Sequence, residues 1–355
     1  MHNTVIHLYS FVESRLGGKR MRIAIYGAGS LGTILGAYLH ERGVAVDLIS
    51  RNKEHIEALQ RKGAQIVGKR TATIPVTALL PEDMKGTYDL IFLLTKQLEN
   101  RRVASFLKPY LKEDGMLCTM QNGIPEPTLM EILGSNRVCG CTIGWGATLT
   151  GSGVVELTSD EHTFSFSLGL PVPGREAMLA EISQILSLMG EVTIEHNFIG
   201  ARWSKLLINA SFSGTATALG CTFGEVAANK QSRRIAQRIM KECIDVAKAS
   251  SVTLEPVQGK DIAKLFDYTN SLKKWVSFHL IPFAIRKHRQ LKPSMLQDIE
   301  KGKPCEVDAI NGVLSEQGKK LGIPTPINDQ VVSIIHRIEA KELQPSMENL
   351  KGFIL

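Results

Sequence analysis

In the segment WSKLLINASFSG, Lys205, Asn209 and Ser213 stand at i, i+4 and i+8 among Leu206, Leu207, Ile208, Ala210 and Phe212. On an α-helix through Trp203 to Leu219, that spacing puts the three polar side chains on one face. A polar stripe can be a wetted helix surface; flanked this heavily by apolar residues, it reads as the lining of a cleft. A lysine in such a place is partly desolvated, which lets it exchange a proton near neutrality. Farther along, Ser294 in PSMLQD has the type and position of an N-cap. Glu306 falls in the first turn of a helix expected to start after Pro304 and run through Leu314 to Gly318. Taken alone, these two residues do no more than cap and complement helix ends.

A second constellation lies near the start. Gly27-Ala28-Gly29-Ser30-Leu31-Gly32 follows the apolar run Ile23 to Tyr26 and leads into a helical pattern through Leu39, the strand–turn–helix setting in which GxGxxG binds a dinucleotide. The first glycine permits the tight turn, the second lets a pyrophosphate approach the backbone, and the third lets helix and strand pack closely. Asp47 has nearly the spacing of a ribose-binding acid, but Leu48 and Ile49 carry the strand past it to Ser50-Arg51. Arg51 there suits the 2′-phosphate of NADP(H), which a guanidinium can grip with two hydrogen bonds, with Lys53 and Lys96 as helpers. Lys96 and Gln121-Asn122-Gly123 end two further apolar runs, at the edge of an open sheet where ligands sit.

The elements that must hold these residues divide the chain in two. Apolar runs at Ile23–Tyr26, Val44–Ile49, Asp89–Leu94 and Met116–Met120 alternate with helical patterns, as in a parallel sheet with crossover helices. Further strands are expected between Val138 and Leu168, then a helix over Arg175–Met189 and a short strand at Val192–Ile194. Beyond residue 196 the chain reads as successive helices, with Pro256, Pro282, Pro293, Pro304 and Pro324 between them. The expected fold is α/β: a leader over residues 1–20, a Rossmann-type dinucleotide-binding domain over 21–195, and an all-helical substrate domain over 196–355.

The chain has 355 residues, 43% of them hydrophobic and 22% charged, ample for two buried cores. A net charge of +7 raises nucleic acid and membranes as partners. The densest run, Arg286-Lys287-His288-Arg289 with Lys292, has no interleaved aromatics and fits no nucleic-acid motif; it reads as a solvated face or an anion-facing rim. No apolar run reaches the roughly 20 residues of a membrane span, and the first 20 residues lack a secretory core. The six cysteines form no CxxC pair, so no metal site is expected; Cys139 and Cys141 are read as turned to opposite faces of a strand. These features suggest a cytoplasmic protein acting on a small molecule, with a homodimer interface possible in the apolar helical half.

Across nearly its whole length from Met21, the chain resembles the ketopantoate reductases. The resemblance is carried by GAGSLG, Arg51 after the second strand, TK at Lys96, QNG at Asn122, KLLIN at Lys205, and SMLQD followed by EVDAING at Glu306. It implies reduction of 2-dehydropantoate to pantoate with NADPH, on the route to pantothenate and coenzyme A. By that resemblance Lys205 is the general acid, Glu306 is a further catalytic partner in the cleft that also meets the cofactor, and Asn209, Ser213, Ser294 and Asn122 contact the substrate. Gly27, Ala28, Gly29, Ser30, Leu31 and Gly32, with Arg51 and Lys96, would hold NADP(H), and Asn122 would lie near the nicotinamide end. Two departures bear on the substrate: Ser213 stands where the family commonly has a second asparagine, and Phe223 where it has a later one. They admit another branched 2-oxo acid or an opine-like imine as substrate; a non-catalytic NADPH sensor is the alternative of a different class.

Overall fold

A computed structural model of the chain describes residues 21–257 and 259–354; the leader expected over residues 1–20 lies outside them. The chain folds into two compact units, one comprising residues through Gln121 together with Pro125–Phe198, the other Asn122–Ile124 together with Ile199 onward.

In the first unit, β1 (Ile23–Tyr26), β2 (Val46–Ile49), β3 (Ala64–Gly68), β4 (Ala72–Ile74), β5 (Thr77–Leu79), β6 (Tyr88–Leu93), β7 (Leu111–Thr119), β8 (Val138–Ile143), β9 (Ala147–Gly151), β10 (Val154–Leu157), β11 (Ser165–Gly169) and β12 (Glu191–Ile194) form two sheets. The larger runs β12-β11-β8-β7-β6-β1-β2-β5. It is parallel except where β11 meets β8. Every residue of β1 and β6 is buried, because strands covered on both faces need continuous apolar runs. The strand order reverses beside β1, whose two neighbours are β2 and β6. Such a reversal opens a crevice at the carboxyl ends of the strands.

The smaller sheet, β4-β3-β10-β9, was not among the expected elements. Its β3 pairs in parallel with β10, roughly ninety positions away. Neither β3 nor β4 has a long apolar run. The strands expected between residues 138 and 168 are split between the two sheets. Cys139 and Cys141, expected on opposite faces, are two apart on β8 and therefore share a face; both are fully buried in the main core. All six cysteines are buried, and none of them is in a disulfide.

The second unit is helical. Its longest helix, Lys230–Ala249, buries Ile235, Ile239, Cys243 and Val246 along one side and packs on helices Ser271–Ala284, Val313–Leu321 and Pro326–Glu339. Pro282 lies in the last turn of Ser271–Ala284 rather than between helices. The side chains of the basic run from Arg286 to Arg289 and of Lys292 are exposed. Among the described residues no helix is long and apolar enough to cross a membrane.

The α-helix expected from Trp203 to Leu219 is interrupted. It is α-helical over Phe198–Ile208, π-helical over Asn209–Gly214 and α-helical again over Thr215–Leu219. Lys205, Asn209 and Ser213 are thus related by an α turn and then a wider π turn. A second π-helical segment, Asp308–Gly312, packs against the first. Single π turns are rare and collect at functional sites.

Candidate active site

In the first unit the candidate cofactor residues gather at the carboxyl edge of β2, β1 and β6, three neighbours in the sheet. Gly27 has φ +110°, and a Cβ there would lie 2.5 Å from the Thr95 backbone nitrogen. The turn after β1 therefore presses on the turn after β6. A Cβ on Gly32 would come within 2.4 Å of the Gly27 carbonyl oxygen, so this glycine serves close packing. At Gly29 a Cβ would meet nothing within 4 Å. Gly29 is also the N-cap of helix Ser30–Glu41, and no side chain caps it. Space and a helix N-terminus without a side-chain cap coincide there, which is what a phosphate requires. Ala28 is fully buried, while Ser30 and Leu31 are half-buried.

Asp47 is used elsewhere: it accepts from the Tyr88 hydroxyl at 2.8 Å and pairs with Arg22 at 3.5 Å. Arg51, beyond the end of β2, is exposed and pairs with Glu99 at 2.8 Å; the same Glu99 oxygen takes Arg102 at 2.6 Å. Arg102 first, then Arg51, holds the Glu99 carboxyl below the usual carboxylate range. Nothing in the sequence pattern distinguishes Glu99 from any other residue of a polar turn, and it was missed. Lys96, half-buried, directly precedes the short turn Gln97–Glu99 that brings Glu99 round.

Gln121 is not a ligand-facing polar turn residue but a brace. It is 4% exposed and donates from Nε2 to the Thr95 carbonyl at 2.7 Å and to Asn100 Oδ1 at 2.8 Å. Its oxygen accepts from the Thr119 hydroxyl at 3.0 Å. The ends of β6 and β7 are thereby tied together. The next residue, Asn122, half-buried, belongs with Gly123 and Ile124 to the second unit.

In the second unit Lys205, Asn209 and Ser213 are half-buried, whereas Leu206, Leu207, Ala210 and Phe212 between them are buried. Helix Ser294–Glu300 packs against the π segment Asn209–Gly214. Ser294 is exposed at the first position of that helix. It is not the N-cap: Pro293 holds that place. Glu306, 8% exposed, lies just outside the helical stretch that starts at Val307 and leads into the second π segment, and its carbonyl accepts from the Ile310 N–H at 3.1 Å. The two packed π segments thus begin one α turn after Lys205 and just after Val307, the residue that follows Glu306. Phe223 is 5% exposed, with its ring centroid 5.4 Å from that of Phe212.

Two family models match the chain: ketopantoate reductase PanE/ApbA over residues 23–168, and ketopantoate reductase PanE/ApbA C terminal over residues 197–339. The chain belongs to the ketopantoate reductase family. Among similar ketopantoate reductases, the 2-dehydropantoate 2-reductase of Lactococcus lactis is 29% identical, covering 90% of this chain and 98% of its own. That of Pyrococcus horikoshii is 29% identical, covering 87% and 94%. A solved PanE/ApbA family ketopantoate reductase from Ralstonia eutropha superposes with a TM-score of 0.76 at 25% identity, covering 91% of this chain and 99% of that one. A D-mandelate dehydrogenase in complex with NADH does so with a TM-score of 0.75 at 26% identity, covering 90% and 99%. The α/β unit followed by a helical unit is the fold these ketopantoate reductases share with this chain, and the chain is an oxidoreductase of that family.

Proposed function

We propose that the protein reduces 2-dehydropantoate to pantoate with NADPH, with Lys205 as proton donor. In this reading the cofactor is NADP(H). Gly27 to Gly32, Arg51 and Lys96 would hold it, and the uncapped helix end beside the open space at Gly29 fits its phosphates. Bound there, the nicotinamide supplies a hydride to the substrate ketone.

The second unit supplies the rest. Charge develops on the ketone oxygen as the carbon is reduced, and a positioned ammonium at Lys205 stabilises that oxygen and gives it a proton, a contribution of typically about 10²–10⁴-fold. Glu306 favours the charged lysine and orients it. Asn209, Ser213 and Ser294 hydrogen-bond the substrate, and Asn122 serves substrate and nicotinamide alike. Residues 21–195 then act as the cofactor domain and 196–355 as the substrate domain. The observation that carries this reading is the packing of the two π segments that follow Lys205 by one α turn and Glu306 by one residue.

The purified protein is expected to oxidise NADPH when 2-dehydropantoate is added, and Lys205→Ala to lose turnover while binding NADPH as before. Undiminished turnover in Lys205→Ala overturns the assignment of the acid.

A second substrate reading is favoured by the short Ser213 side chain, with the apolar Phe223 nearby, and by the likeness to D-mandelate dehydrogenase. In that reading the preferred substrate is a bulkier or aryl 2-oxo acid. A substrate panel decides: a much higher kcat/KM for another 2-oxo acid displaces 2-dehydropantoate. Self-association into a homodimer belongs to the same proposal, and light scattering that gives the mass of one chain overturns it.

A further inference from the structure

A line of buried amides leads to the π turn behind Lys205. Asn311, fully buried in the second π segment, spends both hydrogens of its Nδ2: one on the Ala210 carbonyl at 3.1 Å, the other on Asn328 Oδ1 at 2.9 Å. Asn328, also fully buried, donates from Nδ2 to Glu242 at 2.7 Å. Both oxygens of Glu242 also accept backbone N–H groups, from Ile327 at 2.9 Å and Asn328 at 3.0 Å. The carboxyl group therefore presents only acceptors to Asn328. That sets the direction of each amide in turn: Asn328 faces its NH₂ to Glu242 and its oxygen to Asn311, and Asn311 must face its NH₂ to the π turn.

The contact point is a π turn, where wider winding disturbs the regular carbonyl ladder and an outside donor can take up a carbonyl. The fit is also tight. A Cβ on Gly214, the last residue of the π segment, would lie 2.2 Å from Asn311 Oδ1. Ala210 immediately follows Asn209 and lies five residues beyond Lys205, while Asn311 lies five beyond Glu306.

We propose that Asn311, oriented by Asn328 and Glu242, is a positioning residue for the reduction: it holds the π turn that carries Asn209 and Ser213 in register with the turn that begins after Glu306. The inference rests on Lys205 and Glu306 acting as proposed above. Asn311 touches neither substrate nor cofactor in this role; it acts through the backbone of Ala210.

Two variants test it by different routes. Asn311→Leu keeps the approximate volume and removes the donor, whereas Gly214→Ala keeps the donor and pushes the amide away. Each is expected to lower kcat for NADPH-dependent reduction of 2-dehydropantoate by about 10–100-fold, the scale of a misplacement near 1 Å. The Kd for NADPH stays within about twofold, and the double variant is no slower than the worse single one, as for residues acting through one contact. If Asn311→Leu does not fold, Gly214→Ala alone carries the test. A purely structural role shows as a lower melting point with unchanged kcat per folded molecule, and that result overturns the inference. Lys205→Ala, assayed alongside, separates the two claims: an active Lys205→Ala refutes the proton donor, whereas an inactive Lys205→Ala with full kcat in Gly214→Ala refutes only the positioning role.

Discussion

At the residue scale, two glycines of one loop have different duties. Gly27 is required by backbone conformation and by the Thr95 backbone against it, so Gly27→Ala is expected to cost roughly 1–3 kcal/mol or more of stability, read by urea unfolding. A Cβ on Gly29 meets nothing within 4 Å, so Gly29→Ala is expected to cost less stability than Gly27→Ala yet to bind NADPH about tenfold more weakly, as when a charge-assisted backbone hydrogen bond is lost. Equal effects of both substitutions on stability would contradict this division. Glu99 has a separate consequence. Its carboxylate occupies the Arg51 guanidinium that a 2′-phosphate would use, so Glu99→Gln is expected to tighten NADPH about two- to fivefold, the scale of an exposed ion pair. NADH, lacking that phosphate, should change little. The gain should shrink as salt is raised, and comparative titration of both cofactors at two ionic strengths reads all three outcomes.

At the element scale, Thr222 and Glu225 form a reciprocal capping box on helix Phe223–Ala228: Thr222 accepts from the Glu225 N–H, and Glu225 accepts from the Thr222 N–H at 2.7 Å. That cap sets the entry of the helix whose first residue, Phe223, packs on Phe212 of the π segment. Thr222→Ala should cost about 1 kcal/mol in urea unfolding. What could be read from the sequence follows from which elements have local signals. The runs within β1, β2, β6 and β7 stood out because strand segments buried on both faces need near-continuous apolar residues. The glycine loop stood out because its three constraints fall at fixed offsets. The strands β3 and β4 did not: their pairing is with each other and with distant β10, and their residues alternate too briefly to mark them. The π turns left no trace either, since Lys205, Asn209 and Ser213 at steps of four match an uninterrupted α-helix equally well. Asn311, Asn328 and Glu242 come from three helical segments that only tertiary packing joins, and each alone reads as an ordinary polar helix position. Helical spacing among apolar neighbours singled out Lys205 and Asn209 as the lining of a cleft, whereas Ser294 and Glu306 acquired a role only through the resemblance of their surrounding motifs.

At the scale of the whole molecule, each unit has its own core. The clusters built around Ile25, Leu48 and Phe92 and around Tyr26, Leu93 and Leu117 draw on residues from 21 to 192. The cluster around Ile239, Ile310 and Ile335 draws on residue 124 and on residues beyond 198. Separate cores permit separate cooperative transitions, and the proposed division of labour gives a way to tell them apart. NADPH held by the glycine loop stabilises only the unit that contains it, by about 2.7 kcal/mol at a hundredfold excess over Kd. Ile335 is fully buried in the other core, so Ile335→Ala should destabilise that unit by about 2–5 kcal/mol through the cavity it leaves. In scanning calorimetry NADPH should raise one midpoint and Ile335→Ala lower the other, each leaving its neighbour close to its starting temperature. A single transition moved by both treatments would mean that the two cores melt as one, and cofactor binding would then report on the whole chain rather than on the unit built around β1.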